Sequence, residues 1–212
     1  MTTAAHFWDK AADKYAKSKI ADPDDYERTL DRMRHHLGAT DQVLEVGAGT
    51  GSTALLLAPH VARVTATDLS TRMMEIGADK AKAAGVENVS FVAADVTDPA
   101  LGGPSYDAVL ALNLLHLVPD LPASLSRIHG VLAPGGLLIS KTPTLASGAW
   151  WFRIFLGLAL PLMQAIGKAP FVARLTHDSL EGQIKAAGFQ IIEASTSPNV
   201  TATRFLVAQK VG

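Results

Sequence analysis

Three glycines alternate with other residues in Val43-Leu44-Glu45-Val46-Gly47-Ala48-Gly49-Thr50-Gly51, directly after a run of strand-forming residues. Glycine there permits a tight turn and lets a ligand approach the main chain with no Cβ in the way. The helix expected after the turn offers unpaired N–H groups at its start, which suits a carboxylate or phosphate. A glycine turn that merely lets helix pack on strand would look the same from this segment alone. Asp68 stands where the next strand should end, and an acid at that position can accept both hydroxyls of a ribose diol. The competing role is to cap the helix that begins near Ser70 and Thr71. Asp95 follows the third predicted strand, on the same edge, with a cap or turn role before Asp98-Pro99 as its alternative. His116, in Asn113-Leu114-Leu115-His116, is of the residue type that takes protons near neutral pH. The alternative for it is a structural histidine in the loop before Pro119. Removing Asp68 should abolish most of the stabilisation by a bound ligand and leave the empty fold nearly as stable, and a His116 base should give a rate rising with pH near neutrality.

These side chains need a scaffold that brings strand ends together, and the chain has its pattern. Strands are expected at 43–46, 61–67, 89–93, 106–112 and 137–140, alternating with helices at 54–57, 70–84 and 121–132. Such alternation argues for a parallel sheet covered on both faces, whose ligands bind at the carboxyl ends of the strands. Pro134-Gly135-Gly136 reads as a turn into the fifth strand. Before this core, Phe7, Trp8, Ala11, Ala12 and Tyr15 form one apolar helical stripe. A second helix starts at Pro23, carries Tyr26, Leu30, Met33 and Leu37, and stops at Gly38. After the core, a helix over 179–187 is expected to be capped by Asp178 and Glu181 and closed by Gly188. Strands at 189–194 and 204–209 follow with only a loop between them, which makes them an antiparallel pair at the sheet edge. The fold class is therefore α/β: a doubly wound, mainly parallel seven-stranded sheet with an antiparallel C-terminal edge strand and helices on both faces.

Composition narrows the chemistry. With no cysteine, disulfides, thiolate metal sites and cysteine nucleophiles are excluded, and no metal is expected. A formal charge of −1 supplies no general field for nucleic acid. No basic-then-apolar leader opens the chain, so a cytoplasmic location is expected. Ile154 to Met163 is apolar, but a span needs about 20 such residues, and Arg153 and Pro161 interrupt the run.

Taken in order, Glu45–Gly51, Thr67-Asp68-Leu69-Ser70, Ala94-Asp95-Val96, and Tyr106–Leu110 with Leu132–Leu137 resemble the class I, seven-stranded S-adenosylmethionine methyltransferases. The chain is similar in particular to their small bacterial type 11 group. The resemblance covers roughly Gln42 to Ser140 and implies one methyltransferase domain. Residues 1–40 would form a helical cap, 41–141 the cofactor-binding core, 145–170 an apolar insertion, and 176–212 the last helix and strand pair. It implies S-adenosylmethionine as cofactor, with Gly47, Ala48 and Gly49 along its methionine portion and Glu45 supporting the amino group. Asp68 would hold the ribose, and Leu69 and Met73 would lie against the adenine. Asp95 and Val96 would flank that ring, Asp95 taking its exocyclic amine, and Asn113 would face the methionine end. Tyr15 belongs to the helix that often covers the cofactor in this family, with a core place on the Phe7–Ala11 stripe as its alternative.

Two other functional classes compete. A nicotinamide-dependent oxidoreductase would also have a glycine turn and an acid, but its third glycine belongs where Ser52 stands. A methyltransferase-like domain that binds the cofactor without turnover shares every motif above. The acceptor is a small molecule that no motif names. Trp150, Trp151, Phe152 and Phe155 in the insertion suggest a lipophilic one, under an apolar cover or at a membrane surface, unless the segment is a core helix.

Overall fold

The computed structural model describes residues 4–102, 105–197 and 201–211. Seven strands form one sheet in the order β3-β2-β1-β4-β5-β7-β6. They are β1 (Gln42–Val46), β2 (Arg63–Asp68), β3 (Val89–Ala93), β4 (Tyr106–Leu112), β5 (Leu132–Pro143), β6 (Phe189–Thr196) and β7 (Thr203–Lys210). Strands β1 to β5 pair in parallel, and β7 runs antiparallel to both β5 and β6. The strand order reverses between β1 and β4, so their carboxyl ends splay apart and leave a crevice there.

The central strands are buried on both faces, as the near-continuous apolar runs of β1 and β4 require. One core, around Leu44, Val109, Leu125, Leu138 and Leu206, lies under α5 (Leu121–Val131) and α7 (His177–Ala186). The other, around Val43, Leu57, Val64, Leu110 and Val207, lies under α2 (Pro23–His36) and α3 (Ser52–Leu57). Polar contacts also tie α2 to the sheet. Lys141 donates to Asp25 at 2.5 Å and to Thr29 at 2.7 Å, and Arg32 pairs with Glu193 while lying over the Phe205 ring.

Helix α1 (Ala4–Ala16) does not join the main core. It lies against α4 (Thr71–Ala84), with Ala12 buried beside Met73 and Met74. A clip sets its position: Ser70 donates to Asp9 at 2.6 Å, Asp9 also accepts from the Arg72 N–H, and Arg72 pairs with Asp13 at 2.9 Å. The clip sits two residues beyond Asp68, so α1 is held over the strand ends.

Several local expectations change. The segment 132–137 is not a turn but an irregular start to β5, where Leu132 pairs with Tyr106 and Leu137 with Ala108. Gly135, at φ +75°, absorbs the extra residues. Thr176, not Asp178, caps α7 by accepting from the Ser179 N–H, and Glu181 instead binds Arg204 at 2.6 Å. Helix α2 ends through the Leu37 N–H bonding to Met33 O, while Gly38 keeps an ordinary φ. The apolar insertion is a helix, α6 (Trp150–Ala165), which continues through Pro161 at the loss of one backbone bond. No residue of α6 is buried, which excludes the core-helix alternative.

Candidate functional site

A cavity of about 760 Å3 opens at the carboxyl ends of the parallel strands. Its first wall is the turn between β1 and α3. Gly47 adopts φ +64°, and a Cβ there would fall 2.7 Å from the Leu114 side chain. Gly49 adopts φ +55° with Tyr15 against it. Both positions therefore combine a left-handed backbone with a close neighbour, two independent reasons for glycine.

Asp68 braces this turn. Its carboxylate accepts from the Gly49 N–H at 3.0 Å and from the Ser70 N–H at 2.9 Å, tying the end of β2 to the glycine loop. Burial pushes its pKa up and the two N–H groups pull it back. The helix cap proper is Ser70, whose hydroxyl accepts from the Met73 N–H. Asp95 takes its alternative role and still reaches the cavity: its Oδ1 accepts from both the backbone and the hydroxyl of Thr97. Asn113 ends β4 at φ +55°, a conformation asparagine tolerates better than most residues, and donates its N–H to Lys141 O.

The cavity brings Tyr15, Gly47, Gly49, Asp68, Leu69, Met73, Asp95, Val96, Asn113 and His116 together in its lining. Two expected residues stand outside it. Ala48 turns into the apolar clusters beside Met73 and Leu57, because alternate residues of the turn face opposite ways. Glu45 is 3% exposed and belongs to the interior of the sheet. Its Oε2 has no hydrogen-bond partner, and desolvation, with the charge of Asp68 adding to it, raises its pKa to about 8. Tyr15 is not a core aromatic: Ala12 fills the core position on its stripe and Tyr15 is half exposed over Gly49. Burial and the charges of Asp68 and Glu45 raise its phenol pKa.

His116 lines the cavity with its Nδ1 buried and unpartnered. Burial lowers its pKa to about 4. A rate rising through neutrality is therefore not what this histidine gives, since its neutral form is already complete above about pH 5.

The sequence reading missed several apolar wall residues. Trp8 lies on the same helical stripe as Tyr15, and that spacing could have found it. Leu114 and Leu117 follow β4 and Pro143 ends β5, while Phe171 arrives from a segment with no local signal. That segment is pinned by the Ala173 N–H donating to His116 O at 2.7 Å. Helix α6, just before it, contributes nothing to the wall.

Comparison with known proteins agrees with this geometry. Residues 43–136 match a family model described as a methyltransferase domain. A demethylmenaquinone methyltransferase of Clavibacter sepedonicus is 37% identical over 168 residues, 73% of this chain and 68% of that protein. An uncharacterised methyltransferase of Mycobacterium tuberculosis is 34% identical over 128 residues, and the match spans 59% of this chain and 62% of that protein. Among solved structures, the putative methyltransferase of Haloferax volcanii complexed with the Trm112 activator superimposes with a TM-score of 0.74. It covers 99% of this chain and all of its own, at 16% identity, which bears on the fold. The chain belongs to the class I S-adenosylmethionine-dependent methyltransferases. That membership displaces the oxidoreductase reading.

Proposed function

We propose that the protein transfers the methyl group of S-adenosylmethionine to a lipophilic acceptor of the demethylmenaquinone kind. The observation that carries this reading is the division of the cavity. Carboxylates Asp68 and Asp95 occupy the side built by β2 and β3, whereas Leu114, Leu117, Pro143 and Phe171 make up much of the side built by β4, β5 and the segment after α6, which also holds His116, Asp120 and Ser124. A cationic, diol-bearing cofactor suits the first side and an apolar acceptor the second. The Clavibacter relative, named for a demethylmenaquinone substrate, supports the same acceptor class.

The residues present fit the cofactor. Asp68 keeps lone pairs for the ribose hydroxyls beyond its two backbone bonds, and Asp95 Oδ2 is left for the adenine amine. Leu69, Met73 and Val96 supply apolar surface for the ring, and Gly47 and Gly49 supply backbone for the methionine portion, facing Asn113. Glu45, behind that turn, does not reach the wall and, with its pKa raised to about 8, is protonated near neutral pH, so it adds no charge towards the ligand. The cofactor when bound supplies an activated methyl on a sulfonium. The protein's part is to align the acceptor atom with that methyl, to exclude water with Trp8, Tyr15 and Phe171, and to take the acceptor's proton. Positioning of this kind supplies about 7–11 kcal/mol in favourable cases.

His116, whose side chain lines the cavity, is the proton acceptor in this reading. In an assay that follows label from S-adenosylmethionine into the solvent-extractable lipids of a cell extract, wild type is expected to label lipids and not polar metabolites. His116→Ala is expected to lose about 100-fold in turnover, within the usual range for a general base. The cofactor-induced melting shift should remain. Between about pH 6 and 8 neither protein should show a pH step from this group. Label confined to polar acceptors defeats the acceptor reading, and equal turnover of the variant returns His116 to a structural role.

A further inference from the structure

Helix α6 has no function in the site just described, and its surface is unusual for a water-soluble chain. Trp150, Ile154, Leu158, Leu162 and Ile166 recur every four residues, with Trp151 and Phe155 beside them on the same face. All seven are exposed, Leu158 at the centre by 77% and Trp150 by 72%. Contiguous apolar surface of this extent marks an interaction site.

The charges in it and beside it along the chain are all of one sign. No carboxylate occurs between Asp120 and Asp178, while Arg153, Lys168 and Arg174 lie in or just after the helix. Arg153 and Arg174 share a groove of about 500 Å3 with Trp150, Ile154, Gly157 and Leu158. Arg174 reaches across it to donate to Arg153 O at 3.3 Å. Neither guanidinium has a carboxylate within ion-pair distance among the described residues.

We infer that α6 docks the protein on an anionic phospholipid bilayer, with the apolar face in the acyl boundary and Arg153 and Arg174 on headgroup phosphates. A basic-edged apolar helix of this kind lies in the interface plane, buried by about 5–10 Å. Paired guanidiniums beside apolar side chains match a phosphate that carries a lipid tail. Charge argues against a second copy as the occupant. In a two-fold contact the same cationic patches would meet, with no acid in the segment to separate them. No described helix is long and apolar enough to cross a membrane, so the contact is peripheral. Pro170 and Phe171, four and five residues beyond Ile166, line the cavity, so docking brings its apolar side next to the lipid. The inference goes beyond the proposed reaction and its test does not require methyl transfer.

The test is flotation of the full chain with vesicles of phosphatidylcholine alone, or with roughly one quarter phosphatidylglycerol to supply the negative surface. Wild type is expected to float with the mixed vesicles and to bind neutral ones much more weakly. Phe155→Glu with Leu158→Glu should weaken binding by more than about tenfold, since both place charge in the acyl boundary. Arg153→Ala and Arg174→Ala should each weaken binding to the mixed vesicles by about fivefold and leave the neutral ones unaffected. Since α6 contributes nothing to the buried core or the cavity, a retained cofactor-induced melting shift certifies folding of every variant. Wild type that stays with neither vesicle overturns the inference, as does equal binding to both or unaltered binding by the glutamate variant. A concentration-dependent dimer abolished by the glutamate variant, with no flotation, assigns the face to a second copy instead and equally overturns it.

Discussion

The melting transition of the protein should rise by roughly 5–10 °C with S-adenosylmethionine or its demethylated product at 100 times the dissociation constant, and by nothing with NAD or NADP. Linkage sets the size: a ligand at that excess stabilises the native state by about 2.7 kcal/mol. Asp68 is the residue on which the shift should depend most. Asp68→Ala should abolish most of it, but, contrary to the expectation from sequence, it should also lower the melting point of the empty protein. The reason is that Asp68 accepts from Gly49 and Ser70 N–H groups, and each donor left without a partner costs about 1–3 kcal/mol. Relief of the buried charge offsets part of that cost. Asp68→Asn keeps an acceptor oxygen and loses the charge, so it should hold the empty melting point closer to wild type and still lose most of the ligand shift. Wild-type shifts in both variants would remove Asp68 from the binding site.

A second large effect concerns pH. Glu45 has a native pKa of about 8 against an ordinary 4.5, so between these values the native state holds a proton that the unfolded chain releases. Stability from this group is complete below about pH 4.5 and is lost as pH rises towards 8, at on the order of 1.4 kcal/mol per pH unit within the window. The raised pKa of Asp68 acts in the same sense. His116 acts in the opposite sense: its native pKa of about 4 lies below the ordinary 6.5, so stability is lost as pH falls through that interval. Glu45→Gln, which imitates the protonated form, should match wild type near pH 5 and exceed it by several kcal/mol near pH 9. Denaturant melts of both proteins across that range check the expectation. Parallel pH profiles would mean that Glu45 is ionised in the native state.

The places where sequence sufficed share a cause. The turn of Gly47 and Gly49 and the strand-end positions of the acids Asp68 and Asp95 are set by local chemistry, and strand ends are legible from pattern, whereas the left-handed backbone of Asn113 is not. What escaped depends on longer paths. Phe171 reaches the cavity only because the chain after α6 folds back onto His116. Glu45 is adjacent to the glycine turn in sequence, yet its carboxyl is buried against α3, where it accepts from the Ala54 N–H. Pro161 interrupts the apolar run, yet the helix continues past it, because an exposed helix can lose one N–H without burying the orphaned carbonyl. The cap of α7 shifted because Glu181 is drawn to Arg204 on β7, a partner no local pattern reveals.

The central claim is that one cavity holds S-adenosylmethionine against its acidic side and a lipophilic acceptor against its apolar side. Its most direct test is a single-turnover reaction of purified protein with methyl-labelled S-adenosylmethionine and demethylmenaquinone in detergent micelles. The account predicts that label enters the organic phase in step with formation of the demethylated cofactor, mole for mole, and that Asp68→Asn and His116→Ala both suppress it. Cofactor that binds and stays intact beside this acceptor, while a water-soluble acceptor is methylated under the same conditions, would contradict it.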